Sequence, residues 1–302
     1  MVGQLFYWAL NMSISAALAG LVILLLRKIR RIPRFVPYVL WAVPLIRFWL
    51  PFGITSNFSL LNVLSWITAR SVPVLDGNSL TMLNSIALAE NYNPFTFRDE
   101  GLAQLFFIAG LIWLVVFAAL FLASAALYFM TKAEIKDAVR LGGNVYESPK
   151  VTAPAVYGVI RPKIILPDGL DAEVRKYVLL HEQVHVKRRD NLLRCVAVVT
   201  ACLHWFNPLS WVFLRCFFAD MELSCDEKVL KKSGDGQKKA YAFALIGIQE
   251  KKTVFASAFG GAKTRVRIEN ILSYRKMTVF SIACCAVFIA VFAAALLTNA
   301  VV

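Results

Sequence analysis

Two histidines four residues apart, with a glutamate beside the first, hold the chemistry this chain can do: His181-Glu182-Gln183-Val184-His185. An α-helix turns about 100° per residue, so positions four apart lie about 40° apart on one face. Two imidazoles there can share a metal ion. Glu182 lies close enough to hold a water bound to that metal, yet is turned away from binding the metal itself. This is the H-E-x-x-H layout of zinc hydrolases, with the carboxylate as general base. Histidine is scarce, three in the whole chain, and two of the three fall here. Tyr177, Val178, Leu180 and Val184 are apolar and suit a helix packed in a core.

A catalytic zinc takes three protein ligands and one water, so a third ligand must come from elsewhere. The candidates are His204, Asp220, Glu222, Asp226 and Glu227. Glu222 and Asp226 are four apart on an expected helix and share a face. One can bind the metal while the other accepts a hydrogen bond from a ligand imidazole and fixes its tautomer. Glu227 points about 100° away from Asp226. His204, in His-Trp-Phe-Asn-Pro208, has no second metal-binding residue at helical spacing, and its bland reading, a buried histidine with a satisfied hydrogen bond, is preferred.

The elements that must position these groups are those of a membrane protein. The chain has 302 residues, is 59% hydrophobic and carries a net charge of +14, which excludes an ordinary soluble domain. The basic excess reads as cytoplasmic loops and contact with anionic lipid, without direct nucleic-acid binding. Six cysteines form no C-x-x-C pair and read as reduced core residues.

Leu5 to Leu26 is of spanning length, and basic residues follow it rather than precede it: Arg27, Lys28, Arg30, Arg31 and Arg34. It is read as a retained transmembrane helix with the N-terminus outside. Phe35 to Phe52 is a second span, kinked by its prolines, with Arg47 either facing protein or snorkelling to the headgroups. Gly53 to Gly101 is an outside loop, with an interfacial helix near Leu80 to Ala89. Leu102 to Met130 is a third span and Met277 to Leu297 a fourth.

Between them, Lys132 to Lys276 carries 25 of the 33 basic residues. It reads as a cytoplasmic domain with short strands at Asn144 to Ser148, Ala155 to Val159 and Lys163 to Leu166. Asp171 caps the helix that carries the two histidines. The domains are thus residues 1–131 (membrane, with a loop at about 53–101), 132–276 (cytoplasmic) and 277–302 (fourth span and short tail).

Leu192 to Ala219 is apolar enough to suggest a further crossing. The ligand chemistry forbids it, because His181 and His185 precede the stretch and Glu222 follows it. A single crossing would part them by about 30 Å. Pro208 disfavours helix at Asn207, so the expectation is a hairpin, Leu192 to Phe206 and Leu209 to Ala219, with Trp205 and Trp211 near the membrane interface.

The ordered set Tyr157-Gly-Val-Ile-Arg-Pro-Lys-Ile-Ile-Leu-Pro167, His181-Glu-x-x-His185 with Lys-Arg-Arg-Asp190, His204-Trp-Phe-Asn-Pro208 and Met221-Glu-Leu-Ser-Cys-Asp-Glu227 resembles the integral-membrane M56 peptidases. These form the metalloprotease half of the BlaR and MecR type of β-lactam sensor-transducers. Pro44-Leu-Ile-Arg47 fits the same pattern. The resemblance spans nearly the whole chain; Ste24- and HtpX-type gluzincins are more distantly similar.

The resemblance implies a mainly α polytopic membrane protein of four transmembrane helices with a cytoplasmic α+β zincin domain of gluzincin type. Zn2+ would be held by His181, His185 and Glu222, with Asp226 supporting the site and Glu182 as general base. It implies a plasma-membrane endopeptidase in signal transduction, acting on a protein substrate such as a transcriptional repressor or on its own chain. The basic stretch Lys263 to Lys276 is a candidate for self-cleavage, weighed against a plain lipid anchor. The stretch Val156 to Leu166, with Val156, Tyr157 and Gly158 at its start, is read as either an ordinary strand or an edge on which an extended substrate pairs.

The transducers carry an extracellular sensor domain after the fourth span, whereas this sequence ends at Val302, so β-lactam sensing is not carried over. A quality-control or prenyl-protein type membrane protease and a metal-containing scaffold with little turnover stay open, as does a homodimer. Intact Glu182 argues against the scaffold.

Overall fold

The computed structural model describes residues 1–29, 32–50, 56–59, 100–247 and 262–298. The interfacial helix expected near Leu80 to Ala89 lies outside them. Ten α-helices are described: α1 (Val2–Arg27), α2 (Phe35–Leu40), α3 (Ala42–Trp49), α4 (Glu100–Glu134), α5 (Ala172–Arg188), α6 (Asp190–Leu203), α7 (Pro208–Ser233), α8 (Lys238–Gly247), α9 (Thr264–Ser273) and α10 (Val279–Leu297). Four strands lie between α4 and α5: β1 (Val139–Gly142), β2 (Val145–Ser148), β3 (Ala155–Tyr157) and β4 (Lys163–Pro167).

Three helices, α1, α4 and α10, are long and apolar enough to cross a membrane. The expected second span is shorter: it is the bent pair α2–α3, covering Phe35–Trp49. At 1.5 Å per residue this reaches about 22 Å, less than the roughly 30 Å of a hydrocarbon core. The bend has a local cause. Pro44 has no N–H to give to the carbonyl of Leu40, four residues back, and the helix breaks at Trp41 between them. Arg47 faces protein. It is 5% exposed, and its guanidinium donates to the carbonyls of Leu296 (3.1 Å) and Thr298 (2.7 Å) at the C-terminal end of α10. That is the end of a helix dipole that attracts a cation.

The stretch that hydropathy would take for another crossing is a helical hairpin, α6 and α7. Asn207 turns it: its side chain accepts the N–H of Leu209 and so caps α7, with Pro208 at the first helical position. The hairpin packs into one core with α1, α2 and α3, through Ile23, Leu40, Trp41, Ala197, Phe213 and Phe217. Gly20 makes this close approach possible, since a Cβ there would fall 2.2 Å from the Phe213 ring. Contacts of Asn207 with Ser13, Phe213 with Gly20 and Asp220 with Arg27 set α7 alongside α1 in parallel. The tip of the hairpin therefore lies about 21 Å along α1 from Arg27.

Trp205 and Trp211 sit at this tip. Their indole N–H groups find acceptors in protein, the carbonyls of Trp113 (3.4 Å) and Trp205 (3.2 Å).

The strands form one sheet in the order β1-β2-β4-β3. The three strands expected from sequence are present, and β1 is added antiparallel to β2. β1 is exposed along its length. β4 is the buried strand, with Ile164, Ile165 and Leu166 at 0% exposure. It joins β3 to β2 and holds the sheet against α5 through Val178.

Candidate metal centre

Asp171 caps α5 by accepting the N–H of Glu173. The helix then buries Tyr177, Val178, Val184 and both histidines. Its end is unusual. Arg189 lies in the left-handed region at φ 55°, the only non-glycine among the described residues with a positive φ. L-residues occupy that region at a cost of about 1–2 kcal/mol, and the consequence is functional geometry. Had α5 continued, Asp190 would lie about 140° around the helix from His185. The turn at Arg189 instead brings Asp190 back, and its Oδ2 stands 2.5 Å from Nδ1 of His185.

The two imidazoles are oriented in the same sense. Asp190 is fully buried, and a carboxylate can only accept, so Nδ1 of His185 carries the hydrogen. Tyr241 donates its hydroxyl proton to Asp226 Oδ1 (2.7 Å), so its oxygen accepts from Nδ1 of His181 (2.9 Å). In the neutral rings, the form that binds a metal, both Nε2 atoms are lone pairs, and they face each other at 3.1 Å.

Glu222, from α7, completes the group. Its carboxylate oxygens lie 3.5 Å from Nε2 of His181 and 3.6 Å from Nε2 of His185. Ligands at about 2.0–2.1 Å from a tetrahedral zinc stand about 3.3 Å apart. The three separations, with a different Glu222 oxygen nearest each imidazole, are of the size such an ion needs.

The charges agree. Burial disfavours a charge on either histidine. The acidic neighbours outweigh it, Cys225, Tyr241 and Asp226 at His181, Cys225, Glu222 and Asp190 at His185, and hold both pKa values well above the ordinary. Burial likewise opposes ionisation of Glu222, yet His185, His181 and Arg194 hold its carboxyl well below the usual range. The pocket is built for positive charge.

Glu182 is 8% exposed, beside His181 in sequence. Among the described residues no group hydrogen-bonds or ion-pairs with its carboxylate, which leaves it available to a small molecule. Cys225 lies on the other side of His181, with Sγ 3.5 Å from Nδ1. Together with the two histidines it forms a second group able to hold a metal, its ligand atoms within 4.8 Å of one another.

The remaining third-ligand candidates are committed elsewhere. His204 is fully buried, with Nε2 3.0 Å from the Phe48 carbonyl. Asp220 accepts from Arg27 (2.6 Å) and Trp41 (2.8 Å). Glu227 accepts the backbone N–H groups of Arg34 and Phe35 and so caps α2 from a distance. Asp226 is in place beside His181, paired with Arg267.

Four residues here have no role in the sequence reading: Asp190, Tyr241, Asn191 and Arg267. Only Asp190 had a signal, a carboxylate just past the second histidine. Asn191 ties the site to the sheet, donating to the carbonyls of Val156 (2.8 Å) on the edge strand β3 and of Gly158 (3.0 Å) just past its end. Gly158 turns the chain there at φ 90°, and a Cβ would meet the Arg161 carbonyl at 2.9 Å.

A family model described as BlaR1 peptidase M56 matches residues 7–272. The regulatory protein BlaR1 of Bacillus licheniformis is 44% identical over 87 residues, 28% of this chain and 14% of that protein. The methicillin resistance mecR1 protein of Staphylococcus aureus strain Mu50 is 34% identical over 89 residues, 28% of this chain and 15% of that protein. The regulatory protein BlaR1 of Staphylococcus aureus is 24% identical over 137 residues, 44% of this chain and 23% of that protein. The matched segments thus span less than a quarter of these relatives' length.

Proposed function

The chain belongs to the M56 peptidase family, and from that premise we propose an integral-membrane zinc endopeptidase that cleaves protein substrates at the cytoplasmic face of the plasma membrane. One observation carries the reading: Nε2 of His181, Nε2 of His185 and the Glu222 carboxylate converge at 3.1–3.6 Å. These three residues would hold the ion. Cys225 is set aside because it lies on the Nδ1 side of His181, where Tyr241 and Asp226 already take the ring hydrogen. Zinc there supplies a Lewis acid for a peptide carbonyl and makes water acidic.

The chain's own groups do the rest. Glu182, unpartnered among the described residues, takes a proton from the attacking water and returns it to the amide nitrogen as the C–N bond breaks. Asp190 and the Tyr241–Asp226 pair keep both imidazoles in the binding tautomer. An extended substrate is assigned to the free edge of β3, Val156 to Gly158. Each carbonyl there retains one lone pair beside Asn191.

The hairpin α6–α7 accounts for the location. Both its ends lie on one side, so His185 and Glu222 meet without a crossing, with Glu222 two residues past Asp220, the partner of Arg27. With Arg27 at the inner edge of the α1 span, the metal centre stands at the cytoplasmic surface. The relatives are regulatory and resistance proteins by name, which supports a signalling role and a transcriptional repressor as the substrate class.

The test compares variants for zinc content and for cleaved protein termini in cells. Glu182→Ala should abolish cleavage and keep zinc, while His185→Ala and Glu222→Ala should lose zinc. Cleavage by Glu182→Ala equal to wild type would overturn the mechanism.

A further inference from the structure

Among the described residues, Arg267 is the cation at the centre that the peptidase reading leaves without a task. It comes from α9, the helix before the α10 span, and its side chain is 12% exposed. Its guanidinium grips the fully buried Asp226, with Nε 2.9 Å from one oxygen and Nη2 2.8 Å from the other. The remaining reach of the group is toward the ligand atoms: Nη2 is 3.4 Å from Nε2 of His181, and Nη1 is 3.7 Å from Glu222. α9 itself is firmly seated. Ile271 is fully buried in one core with Tyr177, Val184 and Tyr241, and Lys238 donates to the Tyr274 carbonyl.

A two-point grip on a buried carboxylate leaves the charge fixed rather than wandering. Glu222 is already neutralised by Arg194 at 2.5 Å, so a second arginine is not needed to balance it. A fixed cation beside converging metal ligands, free of any strong bond on that side, suits a charge that appears only during reaction.

We propose that Arg267 is a catalytic residue of the peptidase, the group that stabilises the oxyanion on the scissile carbonyl as water adds. It forms and breaks no covalent bond: the carbonyl π pair moves onto oxygen as the water oxygen bonds to carbon, Glu182 takes the proton, and Arg267 meets the new negative charge. Its chemistry selects an amide carbonyl presented on the α9 side of the site. It also makes activity depend on the seating of α9, and hence on the helix that leads into α10.

The inference rests on the peptidase reading, and the experiment separates the two. Purified full-length protein is loaded with Co2+, and the visible spectrum is titrated with a phosphoramidate dipeptide, N-phosphoryl-leucyl-phenylalanine, a charged tetrahedral mimic. Zinc affinity is measured in parallel by chelator competition. Binding of this probe needs no turnover. A failure of the peptidase reading would therefore appear as cleavage by Glu182→Ala equal to wild type and leave this assay intact.

Arg267→Gln should weaken the probe by about 100-fold, with zinc affinity within threefold of wild type. Arg267→Lys should recover most of that loss. Because Arg267→Gln leaves Asp226 buried without its partner, the neutral pair Arg267→Met with Asp226→Asn is tested beside it and should lose probe affinity to the same degree. Probe affinity within threefold of wild type in either the Gln variant or the neutral pair would overturn the proposal.

Discussion

Asp190→Asn should cost the protein its metal more than its fold. The wild-type carboxylate is fully buried and holds three partners: Nδ1 of His185 at 2.5 Å, Arg188 at 3.0–3.1 Å and the Tyr38 hydroxyl at 3.0 Å. Burial opposes its charge, and His185 with Arg188 nevertheless keeps its pKa below the ordinary value. Asparagine has nearly the same shape but no charge. It can also turn its amide N–H toward His185, which would force Nδ1 to accept and place the hydrogen on Nε2, the atom that must bind metal. The same tautomer error underlies the large loss on neutralising the buried aspartate of a catalytic triad.

Removing a carboxylate behind a ligand histidine typically weakens metal binding about 10–100-fold, or about 1.4–2.7 kcal/mol. Arg188 keeps neutral acceptors in the Ser224 hydroxyl and the Met221 carbonyl, so the fold should survive. The assay is chelator competition for zinc, with thermal unfolding of the metal-free protein as control. Zinc affinity within threefold of wild type, in a folded variant, would refute the argument that Asp190 orients His185.

Single cysteines placed at Lys187 and Lys228 should both be shielded from an impermeant outside reagent in intact cells; labelling of one alone would show that α6–α7 crosses the membrane. Mass spectrometry should find no Glu182-dependent terminus inside Thr264–Ser273, because this candidate for self-cleavage is helical and anchored by Ile271, whereas a protease takes an extended chain. A terminus there would show that α9 unwinds.

The metal-free protein should lose stability as the pH falls. Burial opposes ionisation of Asp226, but Arg267 and His181 bring its pKa from 3.8 to about 2. A depressed carboxyl stabilises above its unfolded value and loses that contribution as pH falls through the folded one. Over pH 4 to 2 this is worth about 2 kcal/mol. Urea unfolding in detergent at pH 5 and at pH 2.5 measures it, and an unchanged midpoint would refute the pairing.

Much of this protein is legible in one dimension because its strongest constraints are local. Four-residue spacing puts His181 and His185 on one helix face whatever surrounds them, and long apolar runs mark α1, α4 and α10. The hairpin was legible from chemistry rather than hydropathy, since ligands on both sides of Leu192 to Ala219 must meet.

The partners brought in from far along the chain are fixed by the folded arrangement alone. Asp190 is close in sequence, but its role depends on a single left-handed residue, Arg189, which no periodicity announces. Tyr241 and Arg267 stand 60 and 86 residues from the His181 they serve. Of five candidate third ligands, four differ from Glu222 only in what they meet: Phe48, Arg27, the α2 backbone and Arg267. A carboxylate or an imidazole has the same intrinsic chemistry at each of these places. Its neighbours decide whether it binds metal, caps a helix or balances an arginine, because burial makes every such group take the partner within reach.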